Sequence, residues 1–276
     1  MPSLTRTFGR QSTQYRSSEP LTDAAIRAHA PAIFADGAHE SRSQRYAYIP
    51  TIDILAGLRK EGFEPFMVCQ SRTRDASRQE HTKHMLRLRH RSQIAKAEAN
   101  EIILINSHDG TSAYQMLAGT FRFVCCNGLV HGDELADIRV PHKGDVGGRV
   151  IEGAYEVLDG FERVSAGIDD MKSTALSGPE QTAFARAALT LRYDDETAAP
   201  ITETQLLAER RAEDRGSDLW RTLNKVQEHL VQGGLRGRRS NGKRTTTRPI
   251  NSIDSSVKLN RALWVLAEEM RRLRIQ

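Results

Sequence analysis

The sequence lacks the features of membrane, secreted and disulfide-stabilised proteins. No apolar run reaches the roughly 18 residues that a membrane-spanning helix needs, and Met1–Arg6 is too polar to begin a secretory signal. Of the three cysteines, Cys125 and Cys126 are adjacent, which gives neither a disulfide framework nor a Cys-x-x-Cys metal pair. These absences predict a soluble, cytoplasmic protein with reduced thiols and no contact with a membrane.

The sequence also lacks the motifs of common cofactor-dependent enzymes. Gly144–Arg149 is rich in glycine but has no Gly-Lys-Ser/Thr ending, so we predict no nucleotide site. His81 and His84 fall on a predicted strand at a spacing that points them to opposite faces, where they cannot share an ion. We therefore expect a non-enzymatic protein that needs no metal or other cofactor.

What the chain does have is an excess of positive charge and enough length for a large core. Its 276 residues carry a formal net charge of +5, and its pI is near 9.2. A moderate positive charge favours an acidic partner, and the positions of the cations indicate what kind of partner. Aromatic residues make up only 6% of the chain, so few side chains are available to stack on nucleic-acid bases.

The stretch 64–130 predicts a β-meander, because several strand-like runs follow one another across gaps of hairpin length. The runs are 66–74, 83–91, 101–107 and 114–126, and Asn127-Gly128 closes the last one with a turn-forming pair. The run 101–107 is apolar on both faces and is the expected inner strand. A meander has two outer strands, and neither flanking segment offers an obvious strand to cover them.

Basic side chains alternate with apolar ones along the second run and also end the first run. Antiparallel pairing of these two runs would gather six cations: Arg72, Arg74, Lys83, Arg87, Arg89 and Arg91. Like charges at cross-strand distances repel unless an anion lies between them. The pattern therefore predicts a sheet face that holds a polyanion.

Outside the meander, apolar spacing predicts helices. Thr22 and Thr51 are placed as N-caps of two helices, and Gly62 ends the second helix. From Val150 to about Met171 apolar residues recur every three or four positions, which predicts a long helix across the apolar face of the sheet. The predicted fold class is α+β, an antiparallel β-meander packed against a long helix, with additional C-terminal helices.

A second basic segment follows the helices that are predicted over 150–232. It has no acidic residue, one aliphatic side chain (Leu235) and six cations: Arg236, Arg238, Arg239, Lys243, Arg244 and Arg248. This composition predicts a mobile basic loop. The expected organisation is a flexible N-terminal arm (1–20), an α+β core (21–232), the basic loop (233–249) and a C-terminal helix (250–276).

Three segments carry a family resemblance: Tyr46-x-Tyr48-Ile49-Pro50, Gly62–Pro65 and Phe121–Leu129. Together they resemble a family of phage- and plasmid-encoded proteins catalogued as domain of unknown function nine-three-two, over about residues 40 to 270. This resemblance implies a mobile element in a bacterial host. The order of helix, meander and long helix is similar in topology to the Rad-fifty-two-type single-strand annealing proteins, which implies rings that hold single-stranded DNA by its backbone.

We therefore predict a single-stranded DNA binding and annealing protein that acts in recombination and repair and assembles as a ring or helical filament. Its expected contacts are Arg72, Arg74, Lys83, Arg87, Arg89, Arg91, Arg122, Arg236, Arg238, Arg239, Lys243 and Arg244. One alternative is a phage or plasmid protein that inhibits or regulates a host defence or replication factor. A second is a metal-dependent nuclease that uses His108, Asp109, His131 and Asp133.

Overall fold

The computed structural model of the chain describes residues 5–6, 12–43, 46–93, 98–122, 127–130, 138–140, 146–193 and 199–275. The chain divides into two compact units. The first comprises Met1–Phe123, Asp133–Phe161 and Asn251–Ile253, and the second Val124–Gly132, Glu162–Ile250 and Asp254–Gln276. We predicted a single core over 21–232, whereas the boundary between the units falls inside one long helix.

The first unit contains the predicted meander. Strands β1 (Thr5–Arg6), β2 (Ser12–Arg16), β3 (Phe63–Ser71), β4 (His84–His90), β5 (Glu98–Asn106) and β6 (Tyr114–Arg122) lie side by side in chain order. Each pairs antiparallel with the next. Two shorter strands follow, β7 (Asn127–Val130) and β8 (Ile138–Val140). From β3 to β6 short connections fix the register of each successive pair, whereas residues 17–62 separate β2 from β3.

Helices cover one face of this sheet. They are α1 (Asp23–His29), α2 (Thr51–Lys60) and the first part of α3 (Val146–Ser173). Leu86 and Leu88 of β4 and Leu55 of α2 are buried in one apolar cluster. Burying each such side chain contributes about 1.5–3 kcal/mol relative to exposure. The predicted packing of a meander against a long helix is confirmed, and the fold class is α+β.

The ends of α1 and α2 follow local chemistry. The Thr22 hydroxyl accepts a hydrogen bond from Ala25 N and caps α1 as predicted. Pro50 is the N-cap of α2, so the prediction that Thr51 is the cap was wrong. Thr51 is instead the first helical residue, and its side chain turns into a buried polar cluster. Gly62 follows the helix with a φ of +89°, a conformation that favours glycine.

Strands from outside the meander cover its outer edges. On one side β2 pairs with β3 from Ser12 opposite Ser71 to Arg16 opposite Met67. On the other side β8 pairs with β6 from Tyr114 opposite Val140 to Met116 opposite Ile138. The prediction that both edges are open was therefore wrong, and part of the predicted flexible arm (1–20) is an ordered strand. Unpaired backbone donors and acceptors at the edge of β3 explain why this polar segment is captured.

Helices build the second unit. The second part of α3 is joined by α4 (Gly178–Arg192), α5 (Glu203–Leu207), α6 (Leu219–Gln232) and most of α7 (Ile253–Ile275). Residues 219–230 of α6 are all buried except Arg221, polar ones such as Thr222 and Gln227 included. A helix that is buried around its circumference is the centre of its unit. Among the described residues, every helix is too short or too polar to cross a membrane.

The predicted mobile loop is an ordered β-hairpin. Strand β9 (Arg236–Arg238) pairs antiparallel with β10 (Arg244–Thr246). Gly242, with a φ of +76°, lies in the turn, where its N–H donates to Arg239 O at 2.8 Å. Asn241 precedes it, so an Asn-Gly pair makes this turn. The net charge of the segment obscured this turn signal in the sequence.

Candidate nucleic-acid interface

The two central arginines of β4 lie inside the first unit. Arg87 and Arg89 are 4% and 2% exposed, and the side chain of Glu101 on β5 is fully buried. Arg89 Nε donates to one carboxylate oxygen of Glu101 at 2.8 Å, and Arg87 Nε donates to the other. The register explains the contact, because Leu88 lies opposite Ile102 and the next residues along, Arg89 and Glu101, then face each other.

This ion-paired triad cannot line a groove for a polyanion. Both guanidinium groups pair with the one carboxylate of Glu101, and the Arg89 guanidinium also stacks over Phe66, 4.4 Å from the ring centroid. Contact with a phosphate would require breaking a buried ion pair, which costs several kcal/mol. The prediction that Arg87 and Arg89 line an exposed cationic groove was therefore wrong.

The structure scatters the other predicted contacts of the first unit. Arg72 and Arg74 are exposed in the loop after β3, and Lys83 is half-buried before β4. Arg91 is exposed but donates to Glu64 at 2.9 Å. Arg122 is buried on β6, opposite Glu98 in the register. These cations do not form one surface.

The hairpin, by contrast, presents its cations to solvent. Five of them are exposed: Arg236, Arg238, Arg239, Lys243 and Arg244. Arg238 lies opposite Arg244 and Arg236 lies opposite Thr246, while Gly237 lies opposite Thr245. Side chains of opposing residues share a face, so Arg236, Arg238 and Arg244 point to the same side. Among the described residues, none of the five has a carboxylate within ion-pair distance.

The segment 200–205 holds the other side of the hairpin. Arg238 N donates to Pro200 O at 2.9 Å, and Gln205 Nε2 donates to Arg236 O at 2.8 Å. A Cβ on Gly237 would lie 1.8 Å from Pro200 O, so only glycine permits this approach. The edge of β9 is thereby satisfied, and the cationic face is held on a fixed backbone.

The base of the hairpin is tied to the neighbouring helices. Gly234 N donates to Thr247 O at 2.9 Å, and Thr247 N donates to Leu235 O at 2.8 Å. The guanidinium of Arg192, at the end of α4, donates to both Leu230 O and Arg248 O. One side chain thus satisfies a carbonyl at the C-terminal end of α6 and another beyond β10.

A buried polar cluster in the first unit gathers histidines but is closed to solvent. His84 Nδ1 lies 3.0 Å from Thr82 O, so it carries the proton, and Nε2 accepts from the Thr51 hydroxyl at 2.9 Å. Asn106 Nδ2 donates to the same hydroxyl at 3.0 Å. Burial lowers the pKa of His84 from 6.5 to about 4, so the ring is neutral at pH 7.

Two of the four residues in the nuclease alternative, His108 and Asp109, lie in or next to this cluster. His108 is fully buried beside His84, with ring centroids 5.0 Å apart, and Asp109 is only 5% exposed. His131 and Asp133 lie outside the described residues. In the part of the chain that the structure describes, no three histidine, cysteine or acidic side chains are arranged to hold a metal ion.

Comparison with known proteins identifies the family. The family model described as "Domain of unknown function (DUF932)" matches residues 38–264, which include most of both units and the whole hairpin. The chain belongs to this DUF932 family. The resemblance that the sequence carried over about residues 40 to 270 is thereby confirmed.

Two relatives of the DUF932 chain come from Escherichia coli (strain K12). UPF0380 protein YfjQ is 55% identical over 255 residues, which cover 92% of this chain and 93% of the relative. UPF0380 protein YafZ is 54% identical, also over 255 residues that cover 92% of this chain and 93% of the relative. No solved structure matches the chain. The likeness to Rad-fifty-two-type annealing proteins stays a prediction.

Proposed function

We propose that this chain binds single-stranded nucleic acid through the sugar-phosphate backbone, with the β9–β10 hairpin as the main contact. The observation that carries the proposal is the group of five exposed cations without a carboxylate partner among the described residues. A solvated surface usually mixes both signs of charge. A surface with cations alone attracts a polyanion and gains free energy by releasing its counterions.

The composition of the hairpin favours phosphate contacts over base contacts. The stretch 233–250 contains no aromatic residue on which a base could stack. Arginine guanidinium groups instead match phosphate oxygens geometrically and remain charged at any physiological pH. Binding of this kind is tolerant of sequence, as a protein that pairs arbitrary complementary strands requires.

Strand annealing and the assembly that supports it are the finer parts of the proposal. Annealing extends a strand along a cationic surface with its bases free to pair, and several protomers supply the necessary length. The outer edges of β3 and β6 are covered by β2 and β8, so a ring or filament cannot form by edge-to-edge pairing of those two strands. Sedimentation of the protein with and without a long single strand tests the assembly.

A salt-dependent titration tests the binding. A fluorescent thymidylate oligonucleotide is titrated at several salt concentrations, and the logarithm of affinity is plotted against the logarithm of salt. Each neutralised phosphate of a single strand contributes about −0.7 to the slope. We expect a variant with the five hairpin cations replaced by glutamine to flatten this slope by up to about 3.5.

A matched variant controls for net charge. Lys60, Arg163, Lys172, Arg215 and Lys258 are exposed cations outside the hairpin. Their replacement by glutamine removes the same net charge and should leave most of the slope intact. Absence of oligonucleotide binding at low salt would remove the proposal. It would favour the alternative in which the same cations bind an acidic protein of the host.

A further inference from the structure

We infer that Arg238 and Arg244 act as a clamp that holds one phosphate group between them. The inference deepens the proposed function, because it takes the class of ligand, a phosphodiester, from that proposal. It rests on the position of the two side chains in the ladder of the hairpin. The other exposed cations of the hairpin then add charge around this one built site.

The hydrogen-bond pattern places the two arginines close together. Along the ladder, Arg239 N donates to Lys243 O at 3.0 Å and Thr247 N donates to Leu235 O at 2.8 Å. Because hydrogen-bonded and non-hydrogen-bonded pairs alternate in an antiparallel ladder, Arg238 and Arg244 form a non-hydrogen-bonded pair. Their Cα atoms are then about 4.5 Å apart, and their side chains leave the same face.

Two like charges at this distance destabilise a ladder unless something lies between them. Arg238 N donates to Pro200 O and not across the hairpin. This outward N–H is the one expected of a non-hydrogen-bonded pair. That bond and the close approach of Gly237 to Pro200 hold the backbone, so the pair cannot separate by twisting the strand. The one polar partner of the Arg238 guanidinium among the described residues is a neutral carbonyl, Gly242 O at 3.3 Å.

An anion with several oxygens relieves this repulsion. A phosphate group offers acceptors to both guanidinium groups at once and can be bound bidentately by each. Arg236 lacks this arrangement, because its cross-strand neighbour is Thr246. The clamp therefore predicts that two arginines on the same face of one hairpin contribute unequally to binding.

Charge reversal at matched positions tests the clamp. Arg244→Glu and Arg236→Glu change the net charge equally and lie on the same face, but only the first faces an arginine. We expect Arg244→Glu to lower the affinity for the thymidylate oligonucleotide at least tenfold more than Arg236→Glu. Arg244→Gln, which reverses no charge, should fall between wild type and Arg244→Glu.

Thermal unfolding supplies a readout that does not involve nucleic acid. In chloride buffer, Arg244→Glu should unfold at the same temperature as wild type or higher, because it replaces a repulsive pair by an attractive one. Replacing chloride by inorganic phosphate at equal ionic strength stabilises folded proteins in general, but it should raise the Tm of wild type and of Arg236→Glu by more than that of Arg244→Glu, which has lost the clamp.

The outcomes separate the clamp from the proposed function. Equal losses of affinity for the two reversals, with the same rise of Tm in phosphate for wild type and both variants, would overturn the clamp and leave general backbone binding intact. A phosphate effect that depends on Arg244, without oligonucleotide binding by wild type, would keep the clamp and overturn the nucleic-acid proposal.

Discussion

Arginines alternate with other residues on both β4 and β9, yet the two strands use them in opposite ways. On β4, Arg87 and Arg89 are buried against the carboxylate of Glu101. On β9, Arg236 and Arg238 are exposed, and the residue opposite Arg238 is another arginine. The local patterns are alike, so the difference must come from what lies across the ladder.

The residue opposite each arginine on the neighbouring strand determines whether that arginine is buried or exposed. A buried charge is tolerated only when an opposite charge and hydrogen bonds compensate its lost hydration. Glu101 meets that requirement for β4, where it and both arginines are buried. The hairpin offers no acid among the described residues, so its cations stay in solvent and are available to a ligand. Alternating arginines therefore indicate a binding surface only when the partner strand contributes no carboxylate.

Removing the acid from β5 should produce the largest effect. Glu101→Gln keeps the shape of the side chain but leaves Arg87 and Arg89 buried without their carboxylate. We expect the free energy of unfolding to fall by about 3–5 kcal/mol, measured by urea denaturation. Glu269→Gln, which removes an exposed carboxylate paired with Arg272, should change it little. A small loss for Glu101→Gln would mean that water reaches the triad.

The opposite face of β4 carries His84, which is buried as a neutral imidazole. The pH dependence of stability that this residue causes is the next largest effect we expect. The pKa of His84 is lowered to about 4 in the folded protein and is 6.5 when the chain is unfolded. Protonation therefore favours the unfolded state. The contribution of His84 is complete above about pH 6.5, is lost as pH falls, and stops changing below about pH 4. The loss is on the order of 3 kcal/mol, since each pKa unit corresponds to about 1.4 kcal/mol.

Replacing the ring checks this assignment. We expect His84→Gln to be less stable than wild type at pH 7 but to lose less stability between pH 6.5 and 4. His90→Gln, at the half-buried end of the same strand, is the matched control for loss of an imidazole. An unchanged slope in His84→Gln would assign the acid sensitivity to another group.

Displacing the hairpin without altering its charge should have an intermediate effect. In Gly237→Ala the new Cβ would meet Pro200 O, so the hairpin must move and Arg238 N loses its bond to that oxygen. Overpacking of this kind costs about 1–3 kcal/mol of stability, and we expect oligonucleotide affinity to fall as well. Gly178→Ala is the control, since a Cβ there meets nothing within 4 Å. Unchanged affinity in Gly237→Ala would show that the charge of the hairpin matters and its position does not.

The same comparison explains how much the sequence could predict. Alternation and turn residues are local signals, and they located the meander, the long helix and the apolar face that contains Leu86 and Leu88. The pairing of Arg89 with Glu101 depends on a register between strands, which no local pattern contains. The run 101–107 was predicted as an apolar inner strand, although it begins with Glu101. An acidic residue on an inner strand indicates a buried cationic partner but does not identify that partner.

Other differences also come from contacts between distant segments. Ser12–Arg16 is a strand because the edge of β3 needs hydrogen-bond partners, although its own composition is that of a polar arm. The hairpin was predicted as mobile because its charge outweighed the Asn241-Gly242 turn signal. Its ordering depends on Pro200 and Gln205, which lie some 30 residues earlier in the chain. Five of the predicted contacts still lie together on it.

Arg91 is intermediate between the two groups of arginines, because it is exposed like the hairpin cations but paired with a carboxylate like Arg87 and Arg89. Its side chain is 66% exposed and donates to Glu64 at 2.9 Å. A partly exposed pair of this kind contributes about 0.2–1 kcal/mol, so Arg91→Ala should lower the free energy of unfolding by less than Glu101→Gln, His84→Gln or Gly237→Ala. Glu64 already offsets the charge of Arg91, and we therefore expect the salt dependence of oligonucleotide binding to remain as in wild type. Arg238→Ala, measured in the same titration, should flatten the slope by about 0.7. A comparable flattening in Arg91→Ala would place the end of β4 in the binding surface. It would also show that pairing with a single carboxylate does not prevent an exposed arginine from binding phosphate.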